Sequence, residues 1–167
     1  MPSILFVCTA NRFRSPLGAA LFEQALQRHG VQGAWVVSSA GTWAIPGQPV
    51  LPLVFEVAQR YNLNLAGHHT TRVRESLLSE FDLILVMQAS HKEALQSEFP
   101  STSQRIYLLS EVVDHRTYDI PDVSGSLQGI SDISAELADL IQRGYQGICV
   151  LATYLHNARK QSGFHDG

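Results

Sequence analysis

The chain has 167 residues, 45% of them hydrophobic and 16% charged, an ordinary composition for a soluble globular protein and enough for one domain, residues 1–167, with a real core. Its formal net charge of −3, with no basic block, gives a nucleic-acid partner no electrostatic footing. The apolar runs are too short for a secretory signal or a membrane span, and two cysteines, Cys8 and Cys149, do not make a disulfide scaffold, so a reducing cytoplasm is the expected compartment.

Ile4-Leu5-Phe6-Val7 is a short, continuous apolar run and predicts a buried strand. It breaks at Cys8-Thr9-Ala10-Asn11. Leu17, Ala20, Leu21, Ala25 and Leu26 then recur at helical spacing, with Pro16 near the start and Gly30 at the end. Trp35-Val36-Val37 predicts a second strand that ends at Ser38-Ser39-Ala40-Gly41, and Val50 to Tyr61 a helix starting near Pro49 and Pro52. Asp82-Leu83-Ile84-Leu85-Val86-Met87 is the strongest strand signal. A helix capped by Ser90 follows through Glu98, with Pro100 beyond it. Arg105 to Leu109 predicts a fourth strand, and a long polar loop runs from Asp114 to Ile130. The last helix carries Leu137, Leu140, Ile141, Ile148, Leu151 and Leu155 on one side, while Gly144 and Gly147 weaken its middle. Strands alternating with helices predict an α/β fold with a parallel sheet covered on both faces. Ligands of such sheets gather beyond the carboxyl ends of the strands, which brings Cys8, Ser39 and Gln88 to one rim.

The segment Cys8-Thr9-Ala10-Asn11-Arg12-Phe13-Arg14-Ser15-Pro16 holds the chemistry. A loop between a strand and a helix N-terminus aims backbone N–H groups at one spot, and the helix dipole adds to them, so the loop is a candidate phosphate cradle. Arg14 supplies a planar, two-pronged clamp for phosphate oxygens. A cysteine at the base of that cradle is favoured as thiolate and can attack phosphorus in line. Ser15 can donate a hydrogen bond to the sulfur. The plain alternative for Cys8 is a buried residue at a strand end.

These segments, in this order, resemble the low-molecular-weight protein tyrosine phosphatase family over nearly the whole chain. Ile4 to Pro16 resembles the family's phosphate loop, Ser39-Ala40-Gly41-Thr42 the segment after its second strand, and Gly67-His68 the step before its arginine-containing turn. Phe81 to Met87 resembles its third strand, and Asp119-Ile120-Pro121-Asp122 the approach to its acid motif. The resemblance implies a four-stranded parallel sheet flanked by helices, with the phosphate-binding loop after the first strand and no metal or organic cofactor. It implies Cys8 as nucleophile, Arg14 as clamp, Asp122 as general acid, Ser15 as the hydroxyl steadying the thiolate, and Thr9 to Phe13 as the rest of the binding loop. It also implies that Asn11 holds the loop in a strained shape with Ser39 and His68 as supports, although His69 leaves that register open. Asp119 is the chief rival to Asp122, with Asp114 in the same stretch. The expected substrate is a phosphorylated protein or small phosphomonoester, phosphotyrosine first.

Three departures from the family pattern bear on this. Phe13 stands where a second loop cysteine is usual, and Cys149 is no obvious substitute, so recovery after peroxide is expected to be poorer than in two-cysteine relatives. Ala10 stands where the family has glycine, so a positive φ there would strain the cradle. Val123-Ser124-Gly125 replaces the proline and aromatics after the acid, leaving Trp43, with Arg12 and Phe13 at the entrance, to wall the slot. Phosphoarginine is an alternative substrate, although members with that preference tend to carry threonine in place of Arg12. Arsenate reduction is disfavoured because Met87 to Leu95 contains no relay cysteine. A catalytically weak phosphate-binding regulatory module is the alternative from another class. A flavodoxin-like carrier fits the fold but leaves Cys8 and Arg14 without work.

Overall fold

The structure, a computed structural model, describes residues 1–163. Four strands, β1 (Ser3–Cys8), β2 (Val36–Gly41), β3 (Leu83–Val86) and β4 (Ile106–Leu108), form one parallel sheet in the order β2-β1-β3-β4. The helices are α1 (Arg14–Arg28), α2 (Pro52–Gln59), α3 (Glu75–Ser79), α4 (Ala89–Glu98), α5 (Leu109–Asp114) and α6 (Leu127–Ser162). Alternating residues of the strands feed two cores. Ile4, Phe6, Leu83 and Leu85 pack with α1, α2 and α6, while Leu5, Val7, Ile84 and Val86 pack with Leu78 of α3 and Leu95 of α4. Burial on both faces explains why β1 and β3 read as unbroken apolar runs. The predicted four-stranded parallel sheet with helices on both faces is the observed one. Because β1 lies between β2 and β3, the topological switch point falls at its carboxyl end, where Cys8 sits.

Several elements differ from the sequence expectation. Ser38 to Gly41 belong to β2, paired in register with Leu5 to Cys8. Ser90 lies inside α4, whose N-cap is Gln88 and carries no side-chain cap; instead Asp119 Oδ1 accepts the Ala89 N–H at 2.8 Å. Leu109 starts α5, and α6 begins at Leu127, so the long polar loop shrinks to residues 115–126. The ends of α1 are as the sequence suggests: Gly30, at φ 69°, lets Gly30 N–H and Val31 N–H turn back to the carbonyls of Gln27 and Leu26.

The helix α6 is continuous through its glycines. A Cβ on Gly144 would lie 2.4 Å from Val113 Cγ2, so this glycine lets α5 pack directly on α6. Gly147 faces open space. Opposite the switch point, buried Asp82 ties the end of α6 to the start of the sheet. It accepts from Ser3 N–H (3.0 Å), Ser3 Oγ (3.0 Å), His156 Nδ1 (2.9 Å) and Arg159 Nη1 (2.8 Å). Burial alone would raise the pKa of Asp82, but the bonds from His156, Ser3 and Arg159 outweigh it and hold the carboxyl below its ordinary value.

Two outcomes are expected in denaturant unfolding. Gly147→Ala should stabilise by about 0.5–1 kcal/mol through helix propensity, whereas Gly144→Ala should destabilise by about 1–3 kcal/mol by overpacking against Val113. Because the Asp82 carboxyl is held low in the folded chain, its contribution is present above the unfolded value of about 4 and is lost as pH falls through the folded value. Asp82→Asn should therefore cost about 3 kcal/mol at pH 7 and flatten the acid limb of a stability–pH curve.

Candidate active site

The loop between β1 and α1 closes around the switch point. No side chain caps the N-terminus of α1, so its first N–H groups stay directed at the loop. Cys8, buried at the end of β1, has its Sγ 2.9 Å from Ser15 Oγ, on the first turn of α1. The Ser15 hydroxyl accepts from Asn11 Nδ2 at 2.8 Å, which leaves its own proton for the sulfur or for the Ala40 carbonyl at 3.2 Å.

Asn11 fixes the loop's shape. It has φ 58°, a left-handed conformation that asparagine tolerates better than most residues. Its Nδ2 also donates to Ser39 Oγ (2.9 Å), its Oδ1 accepts from Thr71 N–H (2.9 Å), and its carbonyl accepts from His68 Nε2 (2.7 Å). The carbonyl has no proton to give, so His68 carries hydrogen on Nε2. His68, rather than His69, is thus the histidine that reaches the loop. Burial lowers the His68 pKa; the Asn11 carbonyl opposes this, and nearby His69 adds to the lowering. Ala10 has no positive φ. The expected strain does not fall on it, because the left-handed turn is taken one residue later. Gly41 is the glycine the loop requires: a Cβ there would meet the Thr9 carbonyl at 2.4 Å and Asn11 N at 2.9 Å.

Arg14 is 2% exposed. Its Nη1 donates to Gln88 Oε1 and to the Ile120 carbonyl, both at 2.8 Å, and its Nη2 to Thr9 Oγ1 at 3.4 Å. The nearest carboxylate is Asp122 Oδ2, 4.0 Å from Nη2, on a half-exposed side chain. Ile120 N–H donates to the Met87 carbonyl, so the two backbone groups of Ile120 tie the segment carrying Asp122 to the end of β3 and to the Arg14 guanidinium. The rival carboxylates are engaged elsewhere. Asp119 caps α4, and Asp114 is bound by Arg143 (2.6 Å) and by the Tyr118 hydroxyl (2.5 Å), which hold it at about 2.

At the mouth, Trp43 is 72% exposed, with its backbone N–H on the Thr9 carbonyl and the Arg72 guanidinium 5.1 Å above its ring. Arg12 is tethered by Nε to the Pro49 carbonyl. Phe13 is 4% exposed and belongs to the core with Leu17, so its side chain packs inward instead of lining the entrance.

Sequence reasoning missed Thr71, Gln88 as an Arg14 partner, Ile120 and His91, since each acts through a contact between distant segments. His91 is buried, its Nε2 lies 2.8 Å from Thr9 Oγ1, and burial and then the Arg14 charge push its pKa down to about 4 against weaker opposition from Asp119 and Asp122. Among the described residues, no group of three or more His, Cys, Asp or Glu is placed to hold a metal ion, and no helix is long and apolar enough to cross a membrane.

Residues 3–160 match the family described as low molecular weight phosphotyrosine protein phosphatase. The low molecular weight protein-tyrosine-phosphatase YfkJ of Bacillus subtilis is 35% identical over 126 residues, covering 73% of this chain and 80% of the relative. The protein-arginine-phosphatase of the same organism is 31% identical over 141 residues, covering 84% of this chain and 92% of the relative. The crystal structure of a B. subtilis YwlE mutant superposes with a TM-score of 0.83 at 29% identity, over 89% of this chain and 99% of the other. With the family matched over nearly its whole length and the loop, sheet and switch point in place, this chain belongs to the low molecular weight protein tyrosine phosphatases, cysteine-dependent phosphomonoester hydrolases.

Proposed function

We propose that the chain removes phosphate from phosphotyrosine in proteins, with Cys8 as nucleophile, Arg14 as clamp and Asp122 as general acid. The observation that carries this reading is the junction of three groups at one strand end. Cys8 Sγ sits 2.9 Å from Ser15 Oγ, and the buried Arg14 guanidinium lies between the loop and Asp122. The loop N–H groups and Arg14 bind the phosphoryl oxygens. The Cys8 thiolate forms a bond to phosphorus as the bond to the ester oxygen breaks, and Asp122 passes its proton to the departing oxygen. Water then attacks the phosphocysteine, Asp122 takes its proton, and thiolate and inorganic phosphate are released. Ser15 O–H donates to the sulfur when it is a leaving thiolate.

The contacts of the two carboxylates in segment 119–122 support Asp122 over Asp119 as the acid. Asp122 projects to the guanidinium, while Asp119 terminates a helix. Two free cysteines, neither in a disulfide, suit a reducing cytoplasm.

A phosphoarginine substrate is the second reading, supported by the 31% identical arginine phosphatase. Against it, Arg12 puts a fixed cation in the binding loop, where the guanidinium of phosphoarginine would meet like charge. An aromatic phosphoester meets no such penalty and can lie against Trp43.

Metal-free turnover of p-nitrophenyl phosphate is expected to vanish in Cys8→Ser. Asp122→Ala should slow turnover by about 100-fold or more, the usual scale of a general acid, with inhibition by inorganic phosphate little changed. Asp119→Ala should keep turnover and lose about 1 kcal/mol of stability as a missing cap. If Asp119→Ala proves the slow variant, the acid is misassigned. Phosphotyrosine peptide should be hydrolysed in preference to phosphoarginine peptide, and the reverse order would establish the second reading.

A further inference from the structure

We propose that His91 is a positioning residue for the phosphate clamp. Acting through Thr9, it fixes the acceptor for Arg14 Nη2 and leaves the Thr9 hydroxyl proton free for a bound phosphoryl group.

His91 projects from α4, an element that contributes no residue to the loop itself, and is 5% exposed. Its Nε2 has one partner, Thr9 Oγ1 at 2.8 Å, and its Nδ1 is buried without any among the described residues. A buried polar atom left unpaired is a standing cost, so the orientation of this ring is not explained by its own satisfaction. The ring is neutral here, because it is buried beside Arg14.

A neutral imidazole has two tautomers, and Thr9 distinguishes them. The Thr9 oxygen has two lone pairs and one proton, and Arg14 Nη2 approaches it at 3.4 Å as an obligate donor. With hydrogen on Nδ1, the Thr9 proton is spent on His91 Nε2, and an N–H is buried with no acceptor. With hydrogen on Nε2, His91 donates to Thr9, and the orphan at Nδ1 is a lone pair, the less costly kind of orphan. In that second arrangement both Thr9 lone pairs are filled, by His91 and by Arg14. The Thr9 O–H is then directed away from both partners. Thr9 adjoins Cys8 and touches the clamp, so the free proton is a further donor for the phosphoryl oxygens.

Arg14 itself benefits from this order. Its Nη1 is set by Gln88 and Ile120, but Nη2 has only Thr9 within hydrogen-bond range among the described residues, with Asp122 at 4.0 Å. A hydroxyl pinned by His91 therefore fixes the second prong of the guanidinium plane. Gln88, the N-cap of α4, holds one end of the guanidinium directly, His91, in its first turn, bears on the other end through Thr9, and Asp119 caps the same helix end. The first turn of α4 thus acts as a bracket for the clamp.

The inference rests on the reading of Arg14 as the clamp. That reading is checked separately: Arg14→Lys should lose turnover and inhibition by inorganic phosphate together, whatever His91 does, because an ammonium cannot reproduce the two-pronged clamp. The test compares His91→Leu, His91→Gln, Thr9→Val and the Thr9→Val/His91→Leu double variant in steady-state p-nitrophenyl phosphate hydrolysis, with inorganic phosphate as competitive inhibitor and Tm recorded for each. His91→Leu should weaken phosphate inhibition and lower kcat/KM by about tenfold, the worth of one hydrogen bond to a charged partner, without a matching fall in Tm. The glutamine variant separates a lost hydrogen bond from lost packing: its side-chain amide reaches the place of Nε2, so His91→Gln should recover most of the loss. Thr9→Val should show a similar loss, and His91→Leu added to it should cost less than twofold more. Unchanged phosphate inhibition in His91→Leu, full multiplication of the two losses, or no rescue by glutamine would each overturn the proposal. If His91→Leu does not fold, Thr9→Val decides, since normal phosphate inhibition and normal kcat/KM there exclude a Thr9 donor.

Discussion

The left-handed turn at Asn11 is the constraint on which the site depends. A non-glycine residue at φ 58° carries a strain of about 1–3 kcal/mol, and four neighbours hold it there. Ser15 and Ser39 accept from its Nδ2, Thr71 donates to its Oδ1 and His68 to its carbonyl. Asparagine suits the position because one side chain offers donor and acceptor together in a rigid plane, and because its cost at positive φ is lower than that of most other non-glycine residues. The same bonds bear on the chemistry: the Asn11 amide occupies a lone pair of Ser15, and this leaves the Ser15 proton for Cys8 Sγ or the Ala40 carbonyl. A residue that shapes the loop thereby also prepares the hydroxyl for the sulfur.

Electrostatics follow from that shape. Arg14 is an almost fully buried cation whose close partners are all neutral: an amide oxygen, a backbone carbonyl and a hydroxyl. Burying a charge without a counter-ion is expensive, and the half-exposed Asp122 at 4.0 Å compensates only in part. A phosphate dianion bound as proposed would act as counter-charge in a site whose donors are already aimed, so little reorganisation is needed when charge shifts during transfer. The cost of burying Arg14 is offset by the two cores on either side of the sheet, to one of which the loop itself adds Phe13.

Much of this was legible in the sequence, and the limits have physical causes. β1 and β3 are buried on both faces, so they appear as uninterrupted apolar runs, and α1 shows both its period and its Gly30 stop. The helices α3 and α5 span only 5 and 6 residues, too short for a 3.6-residue period to show. Gly144 reads as a helix breaker until Val113 is seen against it. Cys8, Arg14 and Ser15 are legible because they lie within a few residues of one another in a strand–loop–helix pattern, whereas the role of Asn11 comes from the family resemblance. Thr71, Gln88, His91 and Ile120 are not, because their contacts depend on how distant segments stack on the switch point. Phe13 shows the complementary limit: its place in the loop is clear from the sequence, but its direction is set by the core cavity beside Leu17.

The loop motif alone would not make the site, and Gly41 shows why. It pairs with Cys8 across β1 and β2, and its missing side chain lets the backbone of Thr9 and Asn11 settle against the strand. Its N–H donates to the Thr71 carbonyl, and its own carbonyl accepts from Val73, so residues 71–73 run beside β2 as a fragment of a further strand. That pairing presents Thr71 N–H to Asn11 Oδ1. A side chain at Gly41 would push the loop away from β2 and from the Thr71 donor at once, releasing Asn11 from part of what holds it left-handed. The left-handed turn and the Ser15 hydroxyl are therefore set by the close approach of three backbones, and the chemistry proposed for Cys8 rests on a residue with no side chain to contribute.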